Sequence, residues 1–286
     1  MNIFNTWQLN LILYLISIVL FFQFYKLAVK NAKRDGAAAV TLQLLAGTSV
    51  LFLAPFFAIK FPTEIKWYLL LAGACVFYAL NDRLQATARK HLQVSVFTVI
   101  NQLNTVFLII YGIAIFKDPF SFTKLLGAAV IIGANVLLRY SNGKIEINKY
   151  VGMAVLAAVA LATAISVDIG ISGLFNLPIY IMLTFFIPAL FIVFGERIKI
   201  SDVATEFNGQ DRKYYILTGV FWALTIFFSL RSFQLGSVTT VVPLQATNVL
   251  LNVIVAYLFL GERKDGLKKV IAALMVILGI YLTILN

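Results

Sequence analysis

The chain has 286 residues, of which 61% are hydrophobic and 12% charged, about half the charged fraction of a soluble domain. Its 23 Lys and Arg against 12 Asp and Glu give a net charge of +11. These basic residues are scattered singly and in pairs between apolar blocks, which argues against a nucleic-acid surface and for anionic lipid headgroups as partners. With a single cysteine, Cys75, and a single histidine, His91, there is no internal disulfide and no metal centre of the usual His/Cys type.

A bilayer core about 30 Å thick needs roughly 20 apolar helical residues. Ten segments meet that requirement, at about 9–29, 37–59, 67–89, 94–116, 122–140, 149–168, 177–195, 213–233, 238–260 and 267–285. The opening MNIFNTWQLN has neither a basic region nor a small-residue cleavage site, so the first segment reads as a retained helix. Connections are short and carry turn signals such as RDG (34–36) and KDP (117–119). The longest, 196–213, is polar and amphipathic, and no soluble domain is expected.

The third segment ends in YALNDRLQATARKH (78–91). Tyr78, Asp82, Gln85 and Arg89 share one helical face, with Arg83 turned about 100° from Asp82. If the helix runs to Arg89, Asp82 lies about 10 Å inside its end at 1.5 Å per residue. A charge at that depth costs several kcal/mol unless it is paired or solvated, so Asp82 and Arg83 are candidate site residues. The plainer reading ends the helix early, or lets Arg83 reach outward to the headgroups. Asp82 is the only carboxylate expected deep in a helix.

The fourth segment reads VFTVINQLNTVF, which places Thr98, Asn101 and Asn104 on one face. The sixth carries Ala154, Ala158 and Ala162 at four-residue spacing, a close-packing surface. The eighth holds Trp222 and, near its end, Arg231. The ninth repeats the amide pattern of the fourth with Gln245, Asn248 and Asn252. Amides can simply join membrane helices at roughly 1 kcal/mol each. Five on two related segments, four of them in corresponding positions, favour a cavity lining, and carboxamides suit a polar or zwitterionic ligand because they both donate and accept.

The correspondence comes from an internal repeat. A displacement of 144 residues lays FYAL (77–80) on FWAL (221–224), pairing Tyr78 with Trp222, Asn101 with Gln245, Asn104 with Asn248 and Asp118 with Glu262. The coinciding polar positions carry the argument, since apolar matches arise between any two membrane helices. Five helices followed by five related ones enter the membrane from opposite sides. The fold class is therefore an all-α polytopic membrane protein with ten transmembrane helices in two inverted repeats, 1–144 and 145–286, forming one integrated membrane domain. Such repeats are characteristic of secondary transporters.

The stretch GSVTTVVPLQATNVLLNVIVAYLFLGE (236–262) resembles the end-of-repeat signature of the drug/metabolite transporter superfamily, EamA-like branch, and the first-half counterpart ends in IFKD (115–118). ALNDRLQATARKHLQVSVFTVINQLNTVF (79–107) is also similar to the nucleotide-sugar transporter branch. The position fourteen before the terminal acidic residue departs from both branches: it is Asn104, and again Asn248, where they carry proline or lysine. The resemblance implies a central cavity, alternating access, cytoplasmic termini and a prokaryotic inner or plasma membrane, as a monomer or homodimer.

Other classes fit poorly. A membrane enzyme needs a nucleophile with a base, paired carboxylates or a metal, and a primary pump needs a phosphate loop; the sequence offers neither, and no cofactor is implied. A channel can also line its path with amides, but the inverted repeat favours a carrier. The expected function is transport of a small polar organic metabolite, such as an amino acid or amine. The alternative is a nucleotide-sugar or phosphorylated-metabolite exchanger, and Arg83 is its support. Charge conflicts with the resemblance on orientation: connections after odd-numbered segments, counted with the segment ends beside them and Arg83 included, hold 18 of the Lys and Arg, the others 5. The positive-inside rule then places both termini outside.

Overall fold

A computed structural model describes residues 6–29, 31–91, 100–101, 103–139, 148–259 and 266–284. Among the described residues there are helices and no strands, as expected where lipid offers no partner for backbone N–H and C=O groups. They are α1 (Trp7–Ala28), α2 (Asp35–Leu51), α3 (Ile65–His91), α4 (Leu103–Ala114), α5 (Phe122–Arg139) and α6 (Lys149–Ile171). Then follow α7 (Leu177–Glu196), α8 (Ile200–Phe207), α9 (Arg212–Leu235), α10 (Val238–Ala246), α11 (Asn248–Phe259) and α12 (Gly266–Ile284). Among the described residues five helical stretches are long and apolar enough to cross a membrane: Trp7–Tyr25, Asp35–Phe56, Lys149–Leu174, Leu177–Glu196 and Arg212–Leu235. Ile65–Asn81, Leu103–Ala114, Phe122–Leu137 and Val270–Ile284 are shorter apolar helices.

Two expectations meet the structure here. The helix carrying Asp82 and Arg83 does not end early, because α3 continues to His91 over 27 residues. The ninth segment is broken: α10 stops at Ala246, Thr247 forms a turn, and α11 starts at Asn248.

The chain divides into two compact units that cut across the repeats. Unit 1 comprises Met1–Ala79 and Val167–Gln234, and unit 2 comprises Leu80–Ser166 and Leu235–Asn286. The chain thus passes between units at three points: within α3 after Ala79, within α6 after Ser166, and after Gln234 at the end of α9.

Unit 1 is built around α2 packed on α7, and the 144-residue displacement relates those two helices. At Gly47 a Cβ would strike the Phe186 ring, and at Gly219 on α9 it would lie 2.6 Å from Leu45 Cβ, so both glycines let neighbours approach closely. Asn176 caps α7 by accepting from the Ile179 N–H at 3.2 Å, and its Nδ2 group donates to the carbonyls of Ala54, Phe57 and Ala58. Outside the long helices, α8 returns Glu206 against the start of α2. Its Oε1 accepts from the N–H groups of Lys33 (2.9 Å) and Arg34 (3.0 Å), and its Oε2 accepts from the Tyr215 hydroxyl at 3.1 Å. Glu206 is buried; the adjoining Arg34–Asp202 ion pair, at 2.7 Å, is partly exposed.

Unit 2 repeats the scheme with α5 packed on α12, again related by the 144-residue displacement. Here backbone meets backbone: a Cβ on Gly127 would lie 2.6 Å from the Gly279 carbonyl oxygen and would strike Thr283 Oγ1. The opposite face of α12 exposes Leu267, Val270, Leu274, Ile277, Tyr281 and Ile284. In water such a stripe is a liability, whereas in lipid it is the outer surface. Ala154, Ala158 and Ala162 of α6 are buried, the close-packing surface read from their spacing.

Candidate functional site

In unit 2 the polar groups gather around the break between α10 and α11. Pro243 lies inside α10 and has no N–H to return to the preceding turn. Thr247 then closes a tighter turn, its N–H donating to Leu244 O at 3.2 Å and its hydroxyl to the same carbonyl at 2.7 Å. The Ala246 carbonyl, at the helix end, accepts from Asn135 Nδ2 of α5 at 3.0 Å. Irregular backbone within a membrane segment persists where protein supplies the missing partners. At the start of α10, Asp118 Oδ2 accepts the Thr239 N–H at 2.8 Å, a carboxylate at a helix N-terminus. The acidic residue that closes the first repeat in the sequence thus anchors a helix of the second.

The amides flank this break. Gln245 is buried at the end of α10. Asn248 Nδ2 donates to Gln245 O at 2.8 Å, and Asn252 Nδ2 to Asn248 O at 2.9 Å. Asn248 thus reaches back across the break to the end of α10, and Asn252 bonds within α11. Asn252 Oδ1 is buried with no hydrogen-bond partner, and so is Asn104 Oδ1 on α4. A buried acceptor left unpaired costs about 1–3 kcal/mol, so each is a candidate for a ligand or an ordered water. Asn101, three residues before Asn104, is half-buried in helical backbone. α4 packs against α10, where a Cβ on Gly112 would sit 3.1 Å from the Thr239 methyl.

The other expected site residues are distributed differently. Thr98 lies outside the described residues, as do the side chains of Asp82 and Arg83. Tyr78 and Trp222 belong to unit 1, whereas the five amides belong to unit 2. Trp222 is held in an aromatic cluster, 5.4 Å from the Phe21 ring and 4.9 Å edge-on from Phe185. Tyr78 donates to a residue that the sequence reading passed over, Asp168 Oδ2, at 2.6 Å.

Asp168 corrects the expectation that Asp82 is the only deep carboxylate. It is 1% exposed on α6, and its Oδ1 accepts from the Tyr180 hydroxyl of α7 at 2.6 Å. In sequence Asp168 closes the sixth segment and looks like a terminus; α6 in fact runs three residues further. A single acid in an otherwise apolar stretch from 151 to 171 was the available signal. Nearby, Gln234 Nε2 donates to Ser172 Oγ at 3.1 Å and Arg231 Nη1 to Gln234 Oε1 at 3.1 Å. The Arg231 guanidinium also lies 6.0 Å from the Phe57 ring centroid. Among the described residues no group of His, Cys, Asp and Glu could hold a metal ion.

Apolar helices, one with an exposed apolar stripe and one broken beside a set of amides, define an integral multi-pass membrane protein. The pattern of the EamA-like transporter family matches the chain twice, over residues 5–140 and 148–285. The chain belongs to that family, and through it to the drug/metabolite transporter superfamily. Its fold is similar to a protein of known crystal structure, with a TM-score of 0.78 over 97% of this chain and 96% of that one, at 12% identity. None of the curated proteins matches the chain in sequence.

Proposed function

We propose that the chain is a secondary active or facilitative carrier for a small polar organic metabolite, an amino acid, an amine or a similar solute, working by alternating access through ten membrane spans. The observation that carries this reading is the pair of buried, unpartnered amide oxygens, Asn104 Oδ1 and Asn252 Oδ1. They lie on the two segments that the internal repeat relates, and one of them borders a helix broken inside the membrane. Broken helices at related positions of two inverted repeats are where transporters bind their solutes. An acceptor-rich surface with few charges suits a ligand that brings its own N–H or O–H groups. The membrane is taken to be the inner or plasma membrane of a prokaryotic cell.

The test is a thermal-shift screen of the purified protein over amino acids, amines and nucleotide sugars, followed by counterflow of the best stabiliser in liposomes. Stabilisation by an amino acid or amine with saturable, countertransport-stimulated flux supports the reading. Stabilisation by nucleotide sugars alone replaces it with the exchanger, and non-saturable flux replaces it with a channel.

A further inference from the structure

The amide cluster of unit 2 leaves the buried carboxyl of unit 1 without a role. We propose that Asp168 is a proton-binding site within the membrane, and that the proton's arrival turns the Tyr78 hydroxyl and so changes how α3 is held to α6. The use of such a site in coupled transport rests on the carrier reading above; the site itself does not.

Size decides what can bind. Asp168 is 1% exposed, Tyr180 0% and Cys75 0%, so the carboxyl is enclosed and has no space for an organic cation. Both of its oxygens already hold a phenol at 2.6 Å. What can still be added is a proton.

Charge gives the reason to add one. The titratable groups around Asp168 are Tyr78 and Cys75 from α3 and Tyr180 from α7. Of the three cations of α9, Arg212 and Lys213 stand at its start and Arg231 near its end, where it is engaged with Gln234 and the face of Phe57. Among the described residues the ion pairs are Arg34–Asp202 and Lys66–Glu64, and neither includes Asp168. An enclosed carboxylate with no cation paired to it among the described residues bears a desolvation cost of several kcal/mol that neutralisation removes. In lipid, carboxyls so placed are proton carriers in pumps and transporters.

The stereochemistry then couples the proton to the helices. An ionised carboxylate accepts from both tyrosines. Adding H⁺ from water to Oδ2 forms one O–H bond and makes that oxygen a donor. It then donates to the Tyr78 oxygen, and the Tyr78 hydrogen must turn to another acceptor. Tyr180 is fully enclosed and keeps its bond to Oδ1; Tyr78 is only half-buried and can turn. Tyr78 and Asp168 each stand within two residues of a point where the chain leaves unit 1, after Ala79 and before Val167. At the third such point Gln234 is bonded to Ser172, one turn beyond Asp168. The protonation state thus resets a bond between two helices at the places where both pass out of the unit.

The experiment is infrared difference spectroscopy between acid and neutral pH, on the full-length protein in lipid nanodiscs, with the proton as the only ligand. The wild type should show a protonated-carboxyl band from a hydrogen-bonded, enclosed acid, accompanied by a tyrosine band. Asp168→Asn, the isostere of the protonated acid, should lose both. Tyr78→Phe should lose the tyrosine band and move the carboxyl band in frequency, while Tyr180→Phe should keep the tyrosine band. If Asp168→Asn does not fold, the two tyrosine variants decide by the same criteria. A spectrum without the band, a band that survives Asp168→Asn, or one indifferent to Tyr78→Phe overturns the proposal. A positive result with no counterflow of any solute leaves the proton site standing and removes the carrier reading; counterflow without the band does the reverse.

Discussion

Tyr78 and Asp168 are 90 residues apart in sequence and 2.6 Å apart between oxygens. Their bond joins α3 to α6, and Tyr180 of α7 closes the other side of the same carboxyl. Tyr180 is the more enclosed of the two phenols. Tyr180→Phe is therefore expected to lower stability by about 1–3 kcal/mol, the cost of a buried acceptor left short of a partner. Tyr78→Phe is expected to cost less, because Tyr78 is only half-buried and its hydroxyl gives up less on losing this bond. Thermal unfolding of both variants in detergent checks the order.

At the start of α2, a buried contact and a surface contact can be separated by size. Glu206 takes two backbone N–H groups and the Tyr215 hydroxyl, whereas Asp202 holds the partly exposed Arg34. Glu206→Ala is expected to cost about 1.5–3 kcal/mol, the range for hydrogen bonds to a charged group. Asp202→Ala is expected to cost under about 1 kcal/mol, as for exposed ion pairs. Glu206→Ala combined with Tyr215→Phe should cost less than the sum of the two, since both remove one bond. Denaturation midpoints would show the opposite ranking if the surface pair held the loops together.

The α5–α12 contact depends on absent side chains. Gly127→Ala places a methyl 2.6 Å from a carbonyl oxygen of the facing helix, and backbone cannot turn aside as a side chain can. A loss of about 1–3 kcal/mol is expected, as for other overpacked contacts. Gly152→Ala on α6 meets nothing within 4 Å and is expected to be neutral or to gain up to about 1 kcal/mol from helix propensity. The difference in melting temperature between the two variants is the measurement.

If the unpartnered amide oxygens serve a ligand, their loss should affect binding and spare the fold. Asn104→Leu and Asn252→Leu are expected to keep near wild-type folded yield. Each should weaken the best stabiliser from the solute screen by roughly tenfold, one hydrogen bond's worth. Poor yield with an unchanged ligand-induced shift per folded molecule would make these amides packing groups.

Orientation is open to a direct test, because charge and family membership disagree. In a Cys75→Ala background, Asn286→Cys is expected to resist an impermeant thiol reagent in intact cells, which places the termini inside. Labelling there would mean that the bias of 18 basic residues against 5 sets the orientation.

Much of the architecture was legible because lipid leaves a chain few options. Every backbone group must be satisfied within its own segment, so apolar runs of about 20 residues declare their helices. The repeat was legible because polar residues are rare in such runs, and their coincidence at 144 residues stands out. Asn104 and Asn248 could be named from that pattern, and Asn252 from its place one turn beyond Asn248. That Asn248 turns back across the break to Gln245 and Asn252 bonds within α11, while Asn252 Oδ1 and Asn104 Oδ1 stay unpaired, depends on rotamers and neighbours that no spacing encodes. Asp168 and Glu206 show the same limit. In sequence one looks like the end of a segment and the other like a surface acid of an amphipathic loop. Their burial comes from partners 90 and 173 residues distant, so only the packing of α3 on α6, and of residues 33–34 on α8, makes them interior carboxyl groups. The break after Ala246 was foreshadowed by Pro243, but what makes it stable is Asn135, brought to the open carbonyl by α5. Composition and periodicity determine which segments enter the membrane; which polar atoms meet there is decided by the tertiary fold, because hydrogen bonds act over a few ångströms in space and take no account of distance along the chain.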